Sequence, residues 1–320
     1  MKLGVFSPVF GDKPLSVVLD FLNEKGVDAF EIGVGGFPGS KHINPVALLN
    51  DSKKAEEYRK QFDDRGILIS ALSAHGNPIH PNKKTAKAYE ETLTNGILLA
   101  QKLGVPVVNT FSGCPGDCPT AKHPNWIVAP WPPEFLDVLN YQWNDVLIPY
   151  WREKEKFAKA HGVKIAFELH PGFCVYNTES MLKLRDATGE NIGANLDPSH
   201  LIWQGMDPAQ VIRKLGDCIF HFHAKDTKVS AQNIAINGVL DTKHYSELAT
   251  RSWSFRTVGY GMDLSKWKEI ISALREVGYD YVLSIEHEDA LFSGNEGLCK
   301  AIDFLKGVMA FEDVEDMFWA

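Results

Sequence analysis

A joint that recurs along the chain constrains its fold more than any other feature. A helix-type stretch ends on glycine, and a run rich in β-branched and aromatic residues follows at once. It reads Glu24-Lys25-Gly26-Val27, Asp64-Arg65-Gly66-Ile67, Lys102-Leu103-Gly104-Val105 and Ala160-His161-Gly162-Val163, then Leu215-Gly216-Asp217 and Glu276-Val277-Gly278-Tyr279. Gly189 plays the same part before Asn191. Glycine suits the position after a helix because the left-handed conformation carries no Cβ penalty there. The stretches ahead of the joints carry apolar residues at helical spacing. Leu15, Val18, Leu19 and Leu22 do so within 14–25, and Leu264, Trp267, Ile271, Leu274 and Val277 within 264–277. Asp207-Pro208 reads as an N-cap followed by proline at the first helical position.

Eight β-type runs lie between the helical stretches: Leu3–Phe6, Ala29–Ile32, Ile67–Leu72, Val107–Thr110, Ile165–Glu168, Ile192–Asp197, Ile219–His223 and Val282–Glu286. Eight alternations of strand and helix in 320 residues predict an α/β protein, a (β/α)8 TIM barrel formed as a single domain over residues 1–320. A doubly wound open sheet is the competing fold. It expects a glycine fingerprint after the first strand, whereas Gly33-Val34-Gly35-Gly36-Phe37-Pro38-Gly39 follows the second and has Pro38 where the third glycine belongs. Two connections are long, 113–150 and 227–261. Both follow strands, so a barrel would place them on its C-terminal face as substrate walls or lids. The tail, 308–320, is acidic and aromatic, and could pack on a neighbouring subunit of a homo-oligomer or on the barrel's own surface.

The formal net charge of −8 and a pI near 5.8 disfavour nucleic acid and anionic membrane as partners. The apolar part of Met1–Phe6 is too short for a signal peptide and no apolar run reaches transmembrane length, so a cytoplasmic location is the default expectation. Five scattered cysteines argue against a disulfide framework, and Cys114 and Cys118 read as a loop turn.

Four of the runs close on metal-ligand types: Glu168, Asp197, His223 and Glu286. They end the fifth to eighth runs, which are adjacent staves of a barrel whose strand-end side chains converge. Three carboxylates and an imidazole suit one divalent ion, Mn²⁺, Mg²⁺, Co²⁺ or Zn²⁺. Glu288 stands two residues beyond Glu286, which is chosen because it lies nearer the apolar run. His200 follows Asp197 by three, and His170 follows Glu168 by two on the same face. His221 reads as a core histidine beside His223. Lys225 and Asp226 continue past a strand end and are expected, with His75, His170, His200 and Glu31, among the substrate contacts. Lys225, Lys228, Arg251 and Arg256 are the cations that could meet a phosphate. A divalent ion that polarises a substrate carbonyl acidifies the neighbouring C–H, and carboxylates beside it can take and return that proton. This is isomerase or epimerase chemistry. No nucleotide cofactor is expected: neither a P-loop nor Gly-x-Ser-x-Gly is present.

The segments Phe167-Glu168-Leu169-His170-Pro171-Gly172, Asn195-Leu196-Asp197-Pro198-Ser199-His200, His221-Phe222-His223-Ala224-Lys225-Asp226 and Ser284-Ile285-Glu286-His287-Glu288 give the chain its family likeness, with Ser73-Ala74-His75-Gly76-Asn77-Pro78 alongside. The chain resembles the xylose isomerase-like TIM-barrel superfamily of sugar isomerases and epimerases. The resemblance implies Glu168, Asp197, His223 and Glu286 as metal ligands, Glu168 and Glu286 as the acid/base pair, His200 as a substrate or metal contact, and a sugar or sugar derivative as substrate. Two departures from the ketose 3-epimerases stand out: Cys174 where they carry a second carboxylate, and Val229 where they carry an arginine. Competing readings keep the site and change the outcome. Proton removal beside a ketone can expel a β-substituent, giving a lyase or dehydratase on a 3-keto sugar, glycoside or cyclitol, for which Trp126, Trp131, Trp253 and Phe255 would suit a bulky substrate. An abasic-site nuclease and a non-catalytic sugar-binding barrel are the remaining alternatives.

Overall fold

A computed structural model describes residues 1–313, 317 and 319. Among them, eight parallel strands close into a barrel: β1 (Lys2–Phe6), β2 (Ala29–Gly33), β3 (Leu68–Ser73), β4 (Val107–Thr110), β5 (Lys164–Glu168), β6 (Ile192–Leu196), β7 (Ile219–Ala224) and, last in the chain, Val282–Ile285. Two further strands, β8 (Asp226–Val229) and β9 (Trp253–Arg256), form an antiparallel pair outside the barrel, so Val282–Ile285 is β10. β10 pairs with β1 on one side and β7 on the other, which closes the ring. Closure removes the free edges that an open sheet would have to protect.

Each crossover helix buries one face. In Leu15–Glu24 that face is Val18, Leu19 and Leu22. In Leu264–Glu276 it includes Trp267, Ile271 and Leu274, while Leu264 itself is 48% exposed, one position ahead of the buried stripe. Asp207 caps Pro208–Leu215 by accepting from Gln210 N–H at 3.1 Å. The glycine joint is real: Gly104 after Lys83–Leu103 has φ 69° and sends the chain straight into β4. Trp151, on Ile148–Ala160, packs edge-on against Phe167 of β5 at 4.4 Å and donates its indole N–H to Ser112 O at 2.8 Å.

The long connections hold structure that periodicity did not reveal. Residues 113–150 contain a helix, Glu134–Asn140, that runs into a π-helical turn, Tyr141–Leu147. Residues 227–261 carry β8, β9 and the helix Ala231–Asn237. Their pair docks through Trp253, stacked on Trp203 at 4.6 Å and 5°. The glycine cluster after β2 is a tight βα loop. Gly36 has φ 68°, and a Cβ there would lie 2.0 Å from His75 O, so the backbone itself packs on the end of β3. The start of the tail is held by Arg275, which donates to Glu312 O. Val314, Glu315, Asp316 and Phe318 lie outside the described residues. No helix among the described residues is long and apolar enough to cross a membrane.

Candidate metal centre and active site

The strand ends meet. One donor atom each from Glu168, Asp197, His223 and Glu286 falls within 4.8 Å of the other three. Glu168 ends β5 and His223 lies in β7, while Asp197 and Glu286 stand one residue beyond β6 and β10. Asp197 also caps the short helix Pro198–Trp203, accepting from Ser199 N–H at 2.8 Å through Oδ1. Its other oxygen, Oδ2, is buried with no hydrogen-bond partner, and so is His223 Nδ1. Asp197 Oδ2 is thus an orphaned oxygen among three converging carboxylates, whose mutual repulsion a bound cation would relieve. Oxygen and imidazole donors at this spacing fit a single divalent ion.

Basic groups surround the carboxylates. His200 Nε2 lies 3.1 Å from Glu168 Oε1 and 3.3 Å from Asp197 Oδ2, and His75 Nε2 lies 3.0 Å from Glu168 Oε2. Lys225 is 2% exposed and reaches Glu286 Oε2 at 3.3 Å, Glu288 Oε2 at 2.6 Å and Asp197 Oδ2 at 3.9 Å. Its ammonium sits 4.2 Å from the centre of the Phe255 ring. Burial raises all these carboxyls, and the neighbours decide the outcome. The imidazoles of His200 and His75 hold Glu168 well below the ordinary range. Lys225 and His223 bring Glu286 down to about 2. Asp197, with its orphaned oxygen, is the exception: burial pushes it up. Burial also keeps His170 neutral, down at about 3, with Nδ1 2.6 Å from Pro171 O. With Nδ1 as the donor to that carbonyl, the free lone pair of His170 is on Nε2.

A cavity of about 680 Å³ opens above the cluster. Glu168, Glu286, Lys225, His75, His170, Ser254, Glu288 and Asp289 supply its polar lining. Its walls are aromatic: Phe6, Phe37, Phe111 and Phe173 on the barrel side, Tyr245 and Phe255 from the 227–261 connection. Lys225 is the only lysine or arginine among its lining residues.

Several expected contacts are corrected. Asp226 does not face the cavity. Its carboxylate accepts from the N–H groups of Thr227 (2.8 Å), Gly259 (2.9 Å), Gly261 (3.2 Å), Met262 (2.9 Å) and Trp267 (3.1 Å), and so it folds the connection after β8. Glu31 lies fully buried inside the barrel, bonded to His223 rather than open to substrate. Arg256 is bonded to Asp289 at 3.2 Å and does not line the cavity. Arg251 donates to Trp253 O, and its guanidinium lies 4.6 Å from the centre of the Tyr245 ring. Of the four aromatic residues weighed for a bulky substrate, Phe255 alone is in the lining. Trp253 is buried against Trp203, Trp126 lines a separate cavity, and Trp131 is 76% exposed. The residues that sequence reasoning missed are Phe6, Phe37, Phe111 and Phe173 of the wall, and Asp289. Phe6, stacked 5.3 Å from the His223 ring, has in sequence only the signature of a buried strand residue.

An eight-stranded parallel barrel with an acidic, imidazole-bearing cluster at the C-terminal ends of its strands defines a class of metal-site α/β barrels. This chain belongs to the xylose isomerase-like TIM barrel family, whose model matches residues 19–308. It is 40% identical over 309 residues to the uncharacterised protein YfiH of Bacillus subtilis (strain 168), covering 96% of this chain and 98% of that one. Over 152 residues it is 30% identical to the inosose dehydratase of Clostridium perfringens, 47% of this chain and 49% of the relative. The solved structure of the IolI protein with a bound zinc atom superposes with a TM-score of 0.66 at 20% identity, over 97% of this chain and all of the other.

Proposed function

We propose that the protein is a divalent-metal-dependent isomerase or epimerase of an uncharged sugar or cyclitol, working by proton transfer at carbon next to a carbonyl. Glu168, Asp197, His223 and Glu286 would hold the ion. When bound, a divalent ion supplies Lewis acidity that lowers the pKa of the C–H beside a coordinated carbonyl. The chain's own residues do the rest. Glu168 and Glu286 come from strands separated by β6 and β7, and both line the cavity. One can remove a proton from a bound substrate and the other can return it. His75 and His200 orient Glu168, and Lys225 orients Glu286. The aromatic walls exclude water and stack on the C–H face of a ring. The one lining cation, Lys225, is already matched by Glu286 and Glu288, which favours an uncharged substrate over a phosphorylated one.

The observation that carries this reading is the convergence of four donor residues, two of which, Asp197 and His223, offer buried atoms with no hydrogen-bond partner. A second outcome of the same proton abstraction is loss of water from the β-carbon. The inosose dehydratase relative and Lys225, an acid able to protonate a departing hydroxyl, favour it as the alternative.

Elemental analysis of the purified protein beside Glu286→Gln, with reloading by Mn²⁺, tests the metal. The expectation is about one ion per chain in the native protein, lost or weakened in the variant. Incubation of ketohexoses and keto-cyclitols in deuterium oxide tests the chemistry. Carbon-bound deuterium should enter substrate or product, and Glu286→Gln should slow this by about 100-fold or more. Absence of metal uptake together with absence of exchange would sink the proposal. An unsaturated product would select the dehydratase.

A further inference from the structure

Resting on the metal-site reading above, we propose that Glu31 is a positioning residue: it fixes the ring of His223 so that Nδ1 is the atom presented to the metal. Glu31 is 0% exposed, and its carboxylate is held by donors from four strands. Ser73 Oγ donates from β3 at 2.5 Å, Asn109 Nδ2 from β4 at 2.9 Å and Ser284 Oγ from β10 at 2.6 Å. The fourth partner is His223 Nε2, 2.9 and 3.0 Å from the two oxygens. A carboxylate held this way only accepts, so the proton of a neutral His223 must sit on Nε2 and the lone pair on Nδ1. Nδ1 lies on the other side of the ring, 3.1 Å from Glu286 Oε2 and 3.5 Å from Glu168 Oε2, among the remaining candidate ligands.

One neighbouring amide must turn over to match that tautomer. The side-chain amide of Asn195 lies between two imidazoles, 3.1 Å from His223 Nε2 and 3.0 Å from His221 Nδ1. As placed, the amide turns Nδ2 to His223 and Oδ1 to His221; with His223 Nε2 protonated it takes the flipped orientation, oxygen to His223 and NH₂ to His221, whose Nε2–H then meets Ser70 Oγ at 3.3 Å. Two irregularities of the barrel fall at these residues. The register of β2 on β3 shifts between Phe30 and Glu31, and that of β6 on β7 shifts between Ala194 and Asn195. In each, the extra residue lies on the partner strand, Ser70 on β3 and Phe220 on β7, so both bulges fall beside the contacts that Glu31 and Asn195 make with the histidines. Phe6, stacked on the His223 ring, closes the remaining side. An acceptor behind a ligating imidazole raises its basicity and holds its orientation, and losing one typically costs 10- to 100-fold in metal affinity.

Calorimetric titration with Mn²⁺ of the native protein, Glu31→Gln and Ser284→Ala tests the inference. Native protein should bind about one ion. Glu31→Gln should bind about 10- to 100-fold more weakly, and Ser284→Ala should weaken binding in the same direction but less. Imidazole ¹⁵N spectra of the zinc-loaded native protein should show His223 protonated on Nε2 and unprotonated on Nδ1, a readout that needs no variant and that general destabilisation would not produce. The absorption of bound Co²⁺ should change in Glu31→Gln if the ligand geometry relaxes. Native-strength binding in both variants, or a proton on Nδ1 in the zinc-loaded protein, overturns the role of Glu31 and leaves the metal site standing. Absence of binding by the native protein overturns the metal site, and this inference with it.

Discussion

At the residue scale, the site is an arrangement of excess negative charge. Glu168, Asp197 and Glu286 face one another under a single buried lysine. Lys225 is a candidate for two opposed roles. It neutralises Glu286 and Glu288, yet it competes electrostatically with a divalent ion for Asp197 and Glu286. Lys225→Met should therefore tighten Mn²⁺ binding several-fold while lowering turnover, because the orientation of Glu286 is lost. Calorimetry and steady-state kinetics on the same preparation separate the two effects. Weaker metal binding in this variant would mean that Lys225 holds the carboxylates in place rather than opposing the ion. The sequence marked Lys225 as a strand-end cation, and its burial and its three carboxylate neighbours come from folding.

At the element scale, the connection 227–261 is built as a wall anchored at both ends. Asp226 gathers the N–H groups of residues around the second bend, and Asp289, beyond β10, fastens the near edge. Asp289 accepts from Thr257 N–H at 2.7 Å, Leu291 N–H at 2.8 Å and Arg256 Nε at 3.2 Å. Burial alone would raise its carboxyl, but the amides and the guanidinium outweigh it and hold the pKa below the ordinary value. A depressed folded-state pKa contributes stability that is complete above the unfolded value, about 3.9, and is lost as pH falls through the folded one. The anchor should thus be pH-independent from 5 to 8 and weaken only below about pH 4. Asp289→Asn should loosen it at neutral pH, which amide hydrogen exchange at Thr257 and Leu291 reads directly. KM should rise, because Tyr245 and Phe255 lose their fixed position. Unchanged exchange in Asp289→Asn would show that the wall is held by Asp226 and the Trp203–Trp253 stack without Asp289.

At the scale of the whole molecule, the four candidate ligands sit at strand ends far apart in sequence, from Glu168 to Glu286. An ion bound to all four binds the folded chain and not the unfolded one. At an Mn²⁺ concentration 100 times its Kd, this linkage stabilises the protein by about 2.7 kcal/mol. With an unfolding entropy of ~2.1 cal/mol/K per residue, that corresponds to a rise of about 4 °C in the melting temperature. Scanning calorimetry with Mn²⁺ and then with EDTA checks it. The rise should reverse with the chelator and shrink in Glu286→Gln. A melting temperature indifferent to metal would place any bound ion outside the barrel.

The sequence by itself determined the barrel and its polarity. Glycine joints, helical stripes and eight β-type runs are local signals, set by φ preferences and by periodicity, and the strand ends at Glu168 and His223 could be read from them directly. It also brought forward the ligand candidates, because a polar residue closing an apolar run is visible in one dimension. What it could not contain was which partners each side chain meets once the barrel closes. Glu31 and Asp226 both looked like residues at the mouth of the site. Glu31 lies inside the closed barrel and holds His223, and a ring of N–H groups drew Asp226 into the fold of its own connection. The phenylalanine walls were equally hidden, since burial in a core and burial against a cavity leave the same mark on a sequence. Those assignments are three-dimensional: they depend on strand registers and on donors that come from different strands, and only the closed barrel brings these together.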